Sequence, residues 1–106
     1  MEDLTRSDST KISSLFPIGS VIVLDRSKSA CVGLVIGHIY NKLEQDGVQS
    51  PLNKDDIGNR LLVLQGKQKY VATVTLNKEG NYDVWISDID IFYEQDWTSD
   101  DWILKT

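Results

Sequence analysis

After residue 15 the chain shows short apolar segments broken by polar turns, and several alternate with the period of two expected of half-buried strands. Residues 20–24 (SVIVL) are apolar and β-branched and predict a first strand. A polar turn at 25–29 (DRSKS) leads into the longest apolar run, residues 30–40 (ACVGLVIGHIY). Gly33 and Gly37 interrupt that run. Glycines four apart can serve close helix packing. In a segment so rich in Val and Ile they predict bulges or a bend in one long curved strand. Residues 60–65 turn at Gly66-Lys67 into 69–76, where Tyr70, Ala72, Val74 and Leu76 share one face and Val71, Thr73 and Thr75 the other. Residues 77–81 (NKEGN) place Gly80 where a hairpin turn takes positive φ. Residues 82–86 follow, with Tyr82, Val84 and Ile86 opposite Asp83 and Trp85. This rhythm predicts a mainly β protein, a bent antiparallel sheet or small SH3-like barrel of five to six strands.

The flanks read differently. Residues 1–14 (MEDLTRSDSTKISS) are polar and aperiodic and predict a mobile or loosely docked tail, with a single β-rich domain over 15–106. Pro17 forces an extended entry and Gly19 permits a tight bend before the first strand. The connection 41–59 contains Gly47, Pro51 and Gly58 and is long for a compact domain, which predicts a short helix or a binding loop. Residues 87–91 (SDIDI) predict one more edge strand. Thr98, Ser99, Asp100 and Asp101 ahead of WILK carry the marks of a helix start, so a short C-terminal helix is expected.

Charge changes the picture because it is unevenly spread. The 106 residues carry 16 acids and 11 Lys or Arg, a net charge of −5. Residues 82–106 alone hold seven acids and one base, a net −6, which leaves +1 for residues 1–81. The same 25 residues hold six of the nine aromatic side chains, including all three tryptophans. Acids interleaved with aromatics are the reverse of a nucleic-acid footprint, where bases neutralise phosphate. Direct binding to nucleic acid or to an anionic membrane is therefore disfavoured, and a basic protein partner is favoured. The plainer reading packs the aromatics in the core and turns the acids to water. No apolar run approaches the ~18 residues of a membrane span, and the N-terminus lacks the basic and apolar regions of a signal peptide. A cytoplasmic location is the expectation.

Chemistry-bearing constellations are few. Cys31 is the only cysteine and fits a small buried hydrophobe. His38 is the only histidine. Regular alternation sets it on one face with Val32, Leu34, Ile36 and Tyr40, which favours a structural or a half-exposed histidine over a general base. Asp88 and Asp90 would share one strand face, but no segment has the spacing of a calcium loop, and Gly33-x-x-x-Gly37 lacks the Lys and Ser/Thr of a phosphate loop. No enzyme activity, metal or cofactor is expected.

Residues 16–24 (FPIGSVIVL), followed by 34–38 (LVIGH), resemble a family of small proteins of unknown function (DUF4176-like) from Gram-positive bacteria. These open on a Pro-Ile-Gly-Ser strand and continue with a strand ending in an Ile-Ile-Gly step. Residues 86–90 (ISDID) are similar to the family's ending. Genes of the family lie beside type VII secretion loci that encode LXG toxins, so the resemblance implies a chaperone or targeting partner that binds a toxin before export. A cognate immunity protein fits the same features, since acidic inhibitors of basic toxins gain association rate from charge. The expected function is a non-enzymatic protein-binding module presenting either the C-terminal segment or the 41–59 loop. Its expected contact residues are Tyr93, Trp97, Trp102, Asp88, Asp90, Glu94 and Asp96, with aromatics as anchors. Core packing is expected more of Trp85 than of Trp97. The alternatives are a mobile-element anti-defence protein acting as an acidic mimic of nucleic acid, and, ranked last, a small enzyme.

Overall fold

The computed structural model describes residues 12–26, 29–42, 56–98 and 101–106, with backbone only at 56–58. Six strands form: β1 (Val21–Arg26), β2 (Ser29–Asn41), β3 (Asp56–Gln65), β4 (Gln68–Leu76), β5 (Tyr82–Trp85) and β6 (Trp102–Lys105). Their order is β1-β5-β4-β3-β2-β6, and β1 also pairs with β2. Five strands thus close into a small barrel and β6 is added outside it, the mainly β architecture expected from the alternation. The seam is short: β1 meets β5 in parallel only at Asp25 and Trp85, where the Ile86 N–H donates to the Asp25 carbonyl at 3.0 Å.

Local chemistry sets the corners. Gly66 (φ 62) opens the two-residue turn between β3 and β4. At the next hairpin Gly80 (φ 85) takes the left-handed position. There the Asn77 side-chain oxygen accepts from the Glu79 and Asn81 N–H groups at 2.9 and 3.0 Å, so the bend is held by one residue's own carbonyl.

The interior is built from alternate residues of the five barrel strands. Leu24, Val35, Leu61, Val63, Ala72, Val74, Val84 and Ile86 form one buried cluster, with Ile22, Cys31, Tyr70 and Tyr82 packed against it. Ile12 belongs to the same cluster and is 1% exposed. Residues 12–15 form a helical turn, so ordered structure begins before Leu15, inside the segment expected to be a tail.

β2 carries the decisive irregularity. Val35 pairs with Val63 and Gly37 with Leu62, so Ile36 is an extra residue opposite the β3 ladder. The bulge expected from the glycines is therefore present, and it reverses the facing of everything after it. Leu34 and Ile36 lie off the core face, but His38 comes opposite Leu61 and points in, 7% exposed. The expected grouping of His38 with Val32, Leu34 and Ile36 is corrected accordingly. Its Nε2 donates to the Phe16 carbonyl at 2.7 Å, which ties the N-terminal turn to β2. The Tyr40 hydroxyl bonds the Ser13 hydroxyl beside it.

Four other expectations are corrected. Residues 102–105 are strand, not helix, because β2 offers them an edge: His38 to Asn41 pair with Lys105 to Trp102. Residues 87–90 are a turn held by the Asp90 carboxylate, which accepts from the Ser87 N–H and hydroxyl at 2.9 and 3.0 Å. Only Ile91 bridges, to Tyr70. The 41–59 connection is shorter than expected, since β3 starts at Asp56; residues 43–55 lie outside the described residues. Trp85 faces outward, 42% exposed, with its indole N–H donating to the Thr75 hydroxyl at 2.9 Å.

Gly37 is what lets β6 dock. A Cβ there would lie 2.9 Å from the Lys105 carbonyl oxygen and 3.1 Å from the Thr106 methyl. Gly37→Ala is expected to push β6 off β2 and to cost about 1–3 kcal/mol in denaturant unfolding. Gly33→Ala, whose one overly close contact is the tip of the Leu24 side chain at 2.7 Å, is expected to cost less.

Candidate protein-binding groove

The barrel has a second buried face outside its core. Ile39, Leu62 and Val71 are buried yet point away from the central cluster. On β3 and β4 the neighbours Arg60 and Thr73 pair with each other and point the same way. The C-terminal chain covers this outer face. It leaves β4 at residues 90–92, where the Val71 N–H donates to the Asp90 carbonyl at 2.8 Å and the Phe92 N–H to the Lys69 carbonyl at 2.9 Å. It rejoins the sheet at β6, on the far side of β3 and β2. Between these anchors it makes one 3-10 turn, Glu94–Asp96.

The crossing leaves a groove of about 340 Å³. Arg60, Val71 and Thr73 contribute from the sheet; Ile89, Asp90, Ile91, Tyr93, Asp96 and Trp97 contribute from the crossing chain. Trp97 stands on Trp102, edge to face, with ring centroids 4.7 Å apart. The Arg60 guanidinium lies 6.0 Å from the Trp102 ring centroid and donates to the Asn59 carbonyl at 3.4 Å. Trp102 thus wedges between a cation of the sheet and the ring that forms the groove wall.

The seven residues expected to meet a partner divide by position. Asp90, Tyr93, Asp96 and Trp97 line the groove, and Trp102 supports it from beneath. Glu94 is exposed on the 3-10 turn outside the lining. Asp88 is elsewhere: it pairs with Arg26 of β1, whose guanidinium also donates to the Gln65 side chain at 2.9 Å and lies 5.6 Å from the Tyr70 ring centroid. That hydrogen bond with Asp88 holds the Arg26 pKa above its ordinary value. Asp90 spends carboxylate capacity on Ser87. The Asp96 carboxylate, the Trp97 indole N–H and the Tyr93 hydroxyl have no hydrogen-bond partner among the described residues.

Arg60, Val71, Thr73, Ile89 and Ile91 were not singled out by the sequence reading. One signal for the sheet side was present: residues 61–64 (LLVL) are apolar without a break, as in a strand covered on both faces. Among the described residues no three His, Cys, Asp or Glu side chains converge to hold a metal ion, and no helix is long and apolar enough to cross a membrane. No protein-family model, curated protein or solved structure matches the chain.

Removing the supporting ring is expected to cost more than removing the wall. Trp102→Ala loses both the Trp97 and the Arg60 contacts and is expected to cost about 2 kcal/mol; Trp97→Ala is expected to cost about 1 kcal/mol or less. Urea unfolding followed by circular dichroism reads both values.

Proposed function

We propose that the protein is a non-enzymatic binding module for another protein, and that the groove between the sheet and the crossing C-terminal chain is its contact surface. The observation that carries this reading is the combination at one place of two aromatic rings and a carboxylate without a partner among the described residues, on the segment with net charge −6. Asp96 and Tyr93 are exposed and Trp97 is half-buried, so a partner can reach all three. Tyr93 is 52% exposed and Ile89 88% exposed at the groove, which gives a partner apolar surface to cover. Aromatic anchors ringed by polar groups are the usual composition of an interface centre.

The partner proposed is a secreted bacterial toxin, held in the cytoplasm as a chaperone or targeting factor holds its cargo, or as an immunity protein holds its target. The resemblance of residues 16–38 supports that choice of partner, and the acidic surface supports a basic docking region on it. An acidic mimic of nucleic acid is less well supported. Asp88 pairs with Arg26 and Asp90 is engaged by Ser87, so two of the seven C-terminal carboxylates are already bonded within the fold.

Affinity capture from the native host with wild type and with Trp97→Ala is the test. A toxin-like protein is expected to be recovered with wild type and reduced at least about tenfold with Trp97→Ala, the loss of one interface hot spot. Recovery is also expected to fall as salt is raised. Equal recovery by both forms of the protein would place the contact elsewhere.

A further inference from the structure

We infer that the groove takes an arginine side chain from an extended segment of the partner, stacked against Trp97 and Tyr93 and bonded to Asp96. This rests on the groove being the partner-binding surface and names what enters it. The floor is apolar where Val71 and Ile91 lie, and suits the methylene stem of a long cationic side chain. Tyr93 and Trp97 line the same groove, and with them the Asp96 carboxylate, whose oxygens have no partner among the described residues. A flat guanidinium satisfies all three at once, stacking on a ring while its paired N–H groups meet a carboxylate. An ammonium is a point charge and gains less from the flat rings.

The fold already uses this pairing twice. Arg60 sits over Trp102 and Arg26 over Tyr70, each with its guanidinium within about 6 Å of the ring centroid. In the Arg26 case the same guanidinium also meets a carboxylate, that of Asp88. The groove presents the ring and carboxylate halves of that arrangement, and no cation among the described residues pairs with the Asp96 carboxylate. Arg60 supplies one positive charge to the lining, but its guanidinium is turned to Trp102 and the Asn59 carbonyl. Asp90 and Asp96 leave the lining net negative, and Glu94 adjoins Tyr93 in the chain.

The three tryptophans give the experiment its reporters. In the full 15N-labelled chain, Trp97 borders the groove, Trp102 lies against it, and Trp85 is bonded to Thr75 on β4 and serves as reference. N-acetyl-arginine methylamide is titrated, with the lysine and norleucine counterparts as separate arms. The Trp97 indole resonance is expected to shift saturably in the millimolar range with the arginine probe, and the Trp85 resonance to stay in place. The shift is expected to be weaker with lysine and absent with norleucine. Asp96→Asn, an exposed and nearly isosteric change, is expected to weaken the arginine response at least about fivefold. Equal responses to lysine, a response to norleucine, or full retention in Asp96→Asn would each overturn the arginine assignment. If Trp97→Ala loses the captured partner while arginine gives no saturable shift, the groove is the surface and arginine is the wrong occupant. If capture survives Trp97→Ala, the surface itself is wrong, whatever the titration shows.

Discussion

One strand, β2, has to satisfy three neighbours, and the extra residue at Ile36 decides which side chains each of them meets. Up to Leu34 the strand pairs with β1 on one edge; from His38 onward the same edge pairs with β6, while β3 runs along the other. Without the bulge the residues after Val35 would keep their parity. Ile39 would turn inward with Val35, and His38 would point out beside Leu34. With it, His38 and Tyr40 extend the interior toward the N-terminal turn, and Ile39 is delivered to the outer face beside Leu62. A single inserted position therefore adds Ile39 to Leu62 and Val71 on the second apolar surface, the one that the C-terminal chain covers.

The site depends on that surface by a short chain of contacts. Gly37 has no side chain, so the Lys105 backbone can approach β2. β6 then sets Trp102 opposite Asn41, with Arg60 of β3 over its ring. Trp102 in turn fixes Trp97, the wall of the groove. At the other anchor, the Asp90 carboxylate tightens the 87–90 turn and aims residues 90–92 at the free edge of β4. Each element is weak alone; a four-residue strand and a single 3-10 turn have little intrinsic stability. The crossing chain holds its course because both ends are bonded into the barrel.

Most of the barrel was legible from local pattern, and the site only in part. Alternation in residues 69–76 and 82–86 and the glycines at 66 and 80 define hairpins whose chemistry is local, and these appear where the pattern puts them. Gly33 and Gly37 signalled an irregularity, but sequence does not say at which residue a bulge falls, and one position decides the facing of His38. Residues 98–105 read as a helix start because Thr, Ser and Asp cap helices well. The outcome was set instead by the free β2 edge at His38 to Asn41, far earlier in the chain. Trp85 shares a strand face with Asp83, and that parity put it outside despite its size. Asp88 was grouped with the other acids by sequence proximity; its partner Arg26 is distant in sequence and close only because the barrel closes.

The most direct test of this account is amide hydrogen exchange across the crossing chain. If β6 and the 90–92 anchor hold the outer face together, the amides of Val71 and Phe92, and those of β6 bonded to β2, should be protected nearly as well as those of β3. Exchange of these amides at the rate of free peptide, with the other amides of β1 to β5 still protected, would mean that the crossing chain is not docked. The groove would then not exist as a preformed site.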